Sequence, residues 1–284
     1  MKKLFLAASL LAVLGCNDQP EQIPVYLKIN SFSVSAPGGT SWQKVTEGWL
    51  YVEGDFLGAY SLPALVPVLA EGEREVTIFP GVLENGIEAT PNIYPYLTRF
   101  IKKYTLNGGE TMEVNPNTDY DANATFAFGL GRGDFDGGSF ITLENRDSDA
   151  GLDVMLTEDG ALAGKCILMQ ADTSHPIMDV ATEVMMDIPV TGAPEVWLEM
   201  SYKTDVTFFL YLLSGPQQRS NAVFQFNTSE EWNKIYINLT PTLVQFQESQ
   251  QRLFFRLSLP RSSPGVYTQN SGTVRIDNIR LVHY

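Results

Sequence analysis

The chain has 284 residues, with 33 acidic against 19 basic side chains, a net charge of −14 and two cysteines. So acidic a protein has nothing with which to neutralise a phosphate backbone, which excludes nucleic acid as a partner, and it is equally unsuited to adhere by charge to an anionic lipid surface. Two cysteines exclude a disulfide framework, so stability has to come from burial; an apolar content of 44% and an aromatic content of 11% supply it, over a length that suits two ordinary domains.

Lys2 and Lys3 open the chain, Leu4 to Leu14 are apolar but for Ser9, and small Gly15 precedes Cys16. The run is too short to span a bilayer and has the charge layout of an export signal. Val13-Leu14-Gly15-Cys16 resembles the lipobox of a bacterial lipoprotein. That resemblance implies a signal peptide over 1–15, acylation of the Cys16 thiol and new amine, and a protein held at the outer membrane by its lipid. Cleavage removes Lys2 and Lys3, leaving 17 basic residues against 33 acidic ones, a net of −16. Residues 16–24 are polar with two prolines and read as a tether. Asp18 and Glu21 are similar to the acidic signals of Bacteroidota-type surface lipoproteins, which implies a cell-surface position.

Residues 25–120 alternate short strands with turns. Val25–Asn30 has period two, Trp49–Gly58 reads as strand, glycine turn and strand, and Glu75–Phe79 is a strand closed by Pro80-Gly81. Tyr104–Val114 carries Asn107-Gly108 between two apolar runs and predicts a hairpin. Tyr94–Lys103 has room for a helical turn, limited by Pro95. Val52-Glu53-Gly54 with Phe56-Leu57-Gly58, followed by Gly72 and Val76, resembles a PEGA-like domain, which implies a small β-sandwich spacer or docking module without chemistry.

Residues 121–284 form the second unit. Strands are expected at Val196–Lys203, Thr207–Leu213, Lys234–Leu239, Leu253–Leu259 and Thr273–Leu281, with turn residues between and no helices. The expected fold is all-β: a small sandwich followed by a larger antiparallel jelly-roll sandwich. Gly160–Cys166, Glu231-Trp232-Asn233-Lys234 and Ile276-Asp277-Asn278-Ile279-Arg280-Leu281 resemble, in order, the opening turn, a middle strand and the closing strand of a galactose-binding-like carbohydrate-binding module. Ala163 departs from that pattern, where serine is usual. The resemblance implies that Asp277 ligates a structural calcium; no other cofactor is expected.

Chemistry is sparse. The two histidines, His175 and His283, lie near no nucleophile motif, and zinc spacings are absent. Gly129–Gly133 lacks the helix and lysine of a phosphate loop. Asn145–Gly151 spaces oxygen ligands like a calcium loop, but Leu156 stands where the bidentate acid belongs, so an Asx-rich turn is the simpler reading. Cys166, in an apolar strand, reads as a buried structural thiol. No enzyme is expected.

Alternation splits the second unit's strands into an apolar set and an opposite set of Trp197, Glu199, Phe209, Tyr211, Tyr236, Asn238, Phe254 and Arg256. A face turned only to water would be Thr, Lys, Glu and Ser. Aromatics mixed with hydrogen-bonding groups suit a sugar ring, a protein partner, or burial under the first domain. Of the four tryptophans Trp42, Trp49, Trp197 and Trp232, only Trp197 remains as a sugar platform on this reading. The expectation is therefore an accessory subunit docked on an outer-membrane protein complex; the alternative is a surface protein that captures polysaccharide.

Overall fold

The computed structural model describes residues 21–148, 151–185, 187–192, 194–248 and 250–284. Cys16 and the expected signal peptide over 1–15 lie outside the described residues. Among those described, no helix is long and apolar enough to cross a membrane.

The first half contributes ten strands. They are β1 (Val25–Ile29), β2 (Ser33–Val34), β3 (Glu47–Val52), β4 (Asp55–Ser61) and β5 (Ala64–Val68), then β6 (Gly72–Leu83), β7 (Pro91–Ile93), β8 (Phe100–Leu106), β9 (Thr111–Val114) and β10 (Asn117–Thr118). A three-stranded sheet β5-β1-β9 packs on a sheet ordered β4-β3-β6-β7, in which β8 also pairs with β6. Strand β1 shows why: Val25, Leu27 and Ile29 point inward and are at most 1% exposed, while Tyr26 and Lys28 point out. Each such side chain contributes about 1.5–3 kcal/mol by leaving water. They meet Leu50, Val52, Val76, Ile78 and Phe100 in one core. The β3–β4 turn is a two-residue hairpin in which Glu53 (φ 51°) and Gly54 (φ 86°) both take the positive φ that a type I′ turn demands.

Three expectations for this half are corrected. Tyr104–Val114 is not a hairpin: β8 pairs with β6, whereas β9 crosses to the other sheet and runs parallel to β1. Asn107-Gly108-Gly109 is therefore an arch between sheets, which needs the same positive-φ glycine (Gly109, φ 83°) as a hairpin. Strand β6 does not stop at Pro80 but continues to Leu83. Pro80 falls where β8 has ended and β7 has not begun, so its missing N–H costs the ladder no bond. No helical turn forms in Tyr94–Lys103.

The second half holds β11 (Thr125–Phe126), β12 (Leu143–Asn145), β13 (Met155–Thr157), β14 (Cys166–Asp172), β15 (Ile177–Thr182), β16 (Val196–Thr204) and β17 (Phe208–Ser214). They are followed by β18 (Arg219–Phe226), β19 (Ser229–Asn238), the short helix α1 (Thr240–Phe246), β20 (Gln251–Ser258), β21 (Arg261–Ser263), β22 (Val266–Tyr267) and β23 (Ser271–His283). Two antiparallel sheets form a jelly-roll sandwich. The first is β13-β14-β23-β16-β19, with β11 on β23; the second is β12-β15-β20-β17-β18. Their inner faces are the apolar alternation set: Val196, Leu198, Met200, Phe208, Leu210, Leu212, Ile235, Ile237, Phe255, Leu257, Val274 and Ile276 share one core.

Candidate functional site

The eight residues opposite the core do not share a face. Trp197, Glu199, Tyr236 and Asn238 lie on β16 and β19 of one sheet; Phe209, Tyr211, Phe254 and Arg256 lie on β17 and β20 of the other. The sandwich core separates the two groups. Alternation shows that a side chain points away from the core, but not which sheet its strand joins.

The first group is covered by the first domain. Trp197 (1% exposed) and Tyr236 (2%) pack with Val82, Tyr94, Tyr96, Leu97 and Val282. Tyr94 meets Trp197 and Tyr236 edge-on at ring distances of 5.5 and 4.9 Å. Glu199, at 0% exposure, accepts from the hydroxyls of Tyr94 (2.7 Å) and Tyr120 (2.8 Å) and pairs with Lys234 (3.2 Å), with Arg280 at 3.8 Å. Burial opposes its charge, but the Lys234 ammonium and Arg280 guanidinium outweigh that and hold the carboxyl below its ordinary range. Burial also brings Lys234 down to about 8. Asn238 donates to Glu84 at 3.0 Å, and the Tyr236 hydroxyl donates to Gln43. These four side chains are the joint between the domains and present nothing to an external ligand.

In the second group Phe209, Tyr211 and Arg256 are partly exposed, while Phe254 is buried at 7% exposure with Tyr211 packed against it. Cross-strand register aligns Asp179, Arg256 and Phe209 in one row and Ala181, Phe254 and Tyr211 in the next. Phe209 and Tyr211 are half-buried, 6.4 Å apart and tilted by 43°; Tyr211 meets Phe254 at 5.8 Å. Arg256 grips Asp179 through two bonds of 2.7 and 2.6 Å and lies over the Phe254 ring. The fork keeps the guanidinium pKa above its usual value, through the Asp179 hydrogen bond. Beyond it, Arg252 and Arg146 both reach Glu144, at 2.8 and 3.0 Å. A cleft of about 410 Å³ runs past Arg256 between Arg146-Asp147-Ser148 and Pro176-Ile177. The face thus offers a strip of rings bordered by planar, pre-oriented donors and acceptors of balanced charge.

Sequence reasoning missed Asp179, Glu144 and Arg146 because β12 and β15 were not recognised as strands, and missed Arg252 because β20 was expected to begin only at Leu253 rather than at Gln251. Asn145 is an Asx turn: its Oδ1 accepts from the Asp147 N–H at 3.1 Å; residues 149 and 150 of the calcium-like loop lie outside the described residues. Cys166 is fully buried, and that burial, helped by Asp277, pushes its thiol up to about 11.

Asp277 is 1% exposed. Burial, then the nearby Asp136 and Asp134 carboxylates, push it up to about 7. Its oxygens are the right chemistry for calcium, which also takes backbone carbonyl and amide oxygens, and the Asp136 and Asp134 carboxylates are near enough to act on it. A carboxyl raised in the folded state binds its proton more tightly there than in the unfolded chain. Its stabilisation is complete below the unfolded value and is lost as pH rises through about 7. Asp277→Asn should therefore stabilise the protein at pH 8 by on the order of 2 kcal/mol and much less at pH 5, read as unfolding midpoints. A calcium-dependent rise in the wild-type midpoint after chelation that Asp277→Asn abolishes would make Asp277 a ligand; a midpoint that ignores calcium would remove it from that role.

No protein family matches the chain, and no curated protein does. Among solved structures, the chain is similar to an alanine variant of CBM29-2, a family 29 carbohydrate-binding module, at 14% identity over 57% of this chain and 85% of that one, with a TM-score of 0.34. A second CBM29-2 variant, complexed with mannohexaose, matches at 16% identity over 57% of this chain and 92% of that one, with a TM-score of 0.33. The enzymatically active domain of tailspike protein 4 of bacteriophage CBA120 matches at 15% identity and a TM-score of 0.37, over 56% of this chain but 21% of that one. At these values a functional reading rests on the residues themselves.

Proposed function

We propose that this protein is a non-catalytic glycan-binding lipoprotein, anchored at the outer membrane through Cys16 and facing the cell surface, that holds polysaccharide on the outer face of the β12-β15-β20-β17-β18 sheet. The observation that carries the reading is the uncovered pair Phe209–Tyr211, backed by buried Phe254, beside the Arg256–Asp179 fork. Aromatic rings stack on the apolar face of a pyranose, and a fixed guanidinium–carboxylate pair offers its hydroxyls both donors and acceptors. The docking-subunit reading drew on a face containing Trp197 and Tyr236, and those side chains are used up inside the molecule.

Retention of the protein in gels containing neutral plant and fungal polysaccharides tests the proposal. Phe209→Ala with Tyr211→Ala should weaken retention about tenfold or more, as loss of aromatic anchors does. The unfolding midpoint should stay nearly unchanged, because both rings are half-exposed. Undiminished retention by the double variant would remove this face from the function.

A further inference from the structure

Beside the domain joint, the outer face of the β13-β14-β23-β16-β19 sheet is not sealed. Register sets Ser201 on β16 between Lys234 on β19 and Asp277 on β23. A pocket of about 220 Å³ opens at this row. Ser201, Trp232 and Asn233 line it from the sheet, Leu162 from the loop between β13 and β14, and Gln43 and Lys44 from the first domain. Its walls are held in place. The Trp232 indole N–H donates to the Gly160 carbonyl at 3.1 Å, so Trp232 offers the pocket only its ring. Gln43 accepts from the Tyr236 hydroxyl at 2.9 Å and donates to that of Tyr120 at 3.2 Å.

The chain carries a net charge of −14, yet this pocket is basic. Among the described residues no carboxylate lines it, whereas Lys44 and Lys234 both do. The Lys234 ammonium is sealed beneath the surface, 3.2 Å from Glu199, and reaches a ligand only through its field. Glu199 answers two cations, Lys234 and Arg280, so the cluster under the floor keeps one positive charge over. Asp277 accepts from the Asn278 N–H at 2.7 Å and from that of Ala163, and burial pushes it up to about 7, which cuts its charge at neutral pH. Lys44 is the cation that a ligand can touch. It is exposed, and Asn233 Oδ1 accepts one of its protons at 2.9 Å and leaves the others free to donate. Ser201 is 2% exposed and its hydroxyl has no hydrogen-bond partner among the described residues, although buried polar groups are nearly always paired.

We propose that this interdomain pocket binds a sugar acid, a pyranose ring bearing one carboxylate, with the carboxylate between Lys44 and Ser201 and the ring against Trp232. The chemistry decides the class. One exposed ammonium beside a hydroxyl matches a singly charged carboxylate, whereas a phosphate calls for a guanidinium fork or several cations. A neutral sugar would leave the positive field unanswered. A small acid such as acetate has no apolar ring face to lay on the indole. The pocket falls short of the about 300–1,000 Å³ that drug-sized ligands occupy, so it takes a single sugar residue rather than a chain. It lies on the opposite sheet from Phe209 and Tyr211 and does not depend on the glycan face proposed there.

Titration calorimetry of the full-length protein with glucuronate and galacturonate, set against galactose and acetate, tests the site. The two sugar acids should bind, and galactose and acetate should bind at least tenfold more weakly, about the effect of losing one charge-assisted hydrogen bond or one ring contact. Lys44→Met should weaken sugar-acid binding about tenfold, Lys44→Glu should abolish it, and Ser201→Ala should weaken it about fivefold. The unfolding midpoint should hold in the Lys44 variants, because that side chain is exposed. Phe209→Ala with Tyr211→Ala should leave sugar-acid binding intact. Galactose or acetate bound as tightly as glucuronate would overturn the ligand class. Undiminished binding by Lys44→Glu, loss of binding in the Phe209/Tyr211 variant instead, or no heat with either sugar acid would remove the site.

Discussion

Glu199→Ala should lower stability by about 3–5 kcal/mol, the usual result of removing one partner from a buried ion pair. For a chain of this size that corresponds to a fall in unfolding midpoint on the order of 10 °C. The cause is what stays behind. Lys234 and Arg280, 6% and 5% exposed at the side chain, would be left with no counter-ion, and the Tyr94 and Tyr120 hydroxyls would lose their acceptor. Glu199→Gln separates the two contributions. It retains an acceptor for one tyrosine but not the charge, so most of the loss should remain at pH 7. Burial brings Lys234 down to about 8 even with the Glu199 carboxylate holding it up; without that carboxylate it falls further, so the stray ammonium discharges before pH 8 and the deficit should narrow as pH rises. A Glu199→Ala protein as stable as wild type would mean that the two domains do not depend on this joint.

Trp197→Ala should cost about 3–5 kcal/mol as a large-to-small change in a packed site. The indole is 1% exposed and contacts Tyr94 edge-on, so its removal leaves a cavity at the centre of the joint. Any loss of glycan retention in this variant should track unfolding and vanish at temperatures where the protein stays folded. Phe209→Ala with Tyr211→Ala should behave in the opposite way, losing retention at constant midpoint. Thermal melts and retention measured on the same preparations distinguish the two. If Trp197→Ala were fully stable yet blind to polysaccharide, the joint would have to open for binding.

Strand placement and core were written in the sequence because they depend on local period. Val25–Ile29 alternates strictly, and a one-residue slip would turn every apolar side chain to water, so its inward set followed directly. The β3–β4 turn was legible for the same local reason, since Glu53-Gly54 needs positive φ. Other features were decided only by partners distant in the chain. Asn107-Gly108-Gly109 bends the chain equally well as a hairpin or as an arch, and only the pairing of β9 with β1 selects the arch. Pro80 would end a strand paired throughout, yet it sits harmlessly in a gap left by β7 and β8.

The functional faces show the same division most sharply. Composition sorted aromatic and polar side chains away from the core, but rings mixed with hydrogen-bonding groups are the common chemistry of a sealed domain joint and of an open sugar platform. Trp197, Glu199, Tyr236 and Asn238 became the joint because Tyr94, Tyr96 and Tyr120 are carried onto them by the first sandwich. Phe209, Tyr211 and Arg256 stayed open because their strands joined the other sheet. The sequence by itself determined an all-β chain, its core faces and its acidity, because those are set by neighbours along a strand. Which polar face is sealed and which is offered was decided by the tertiary structure alone, because burial of an outer face depends on what a different part of the chain brings to it.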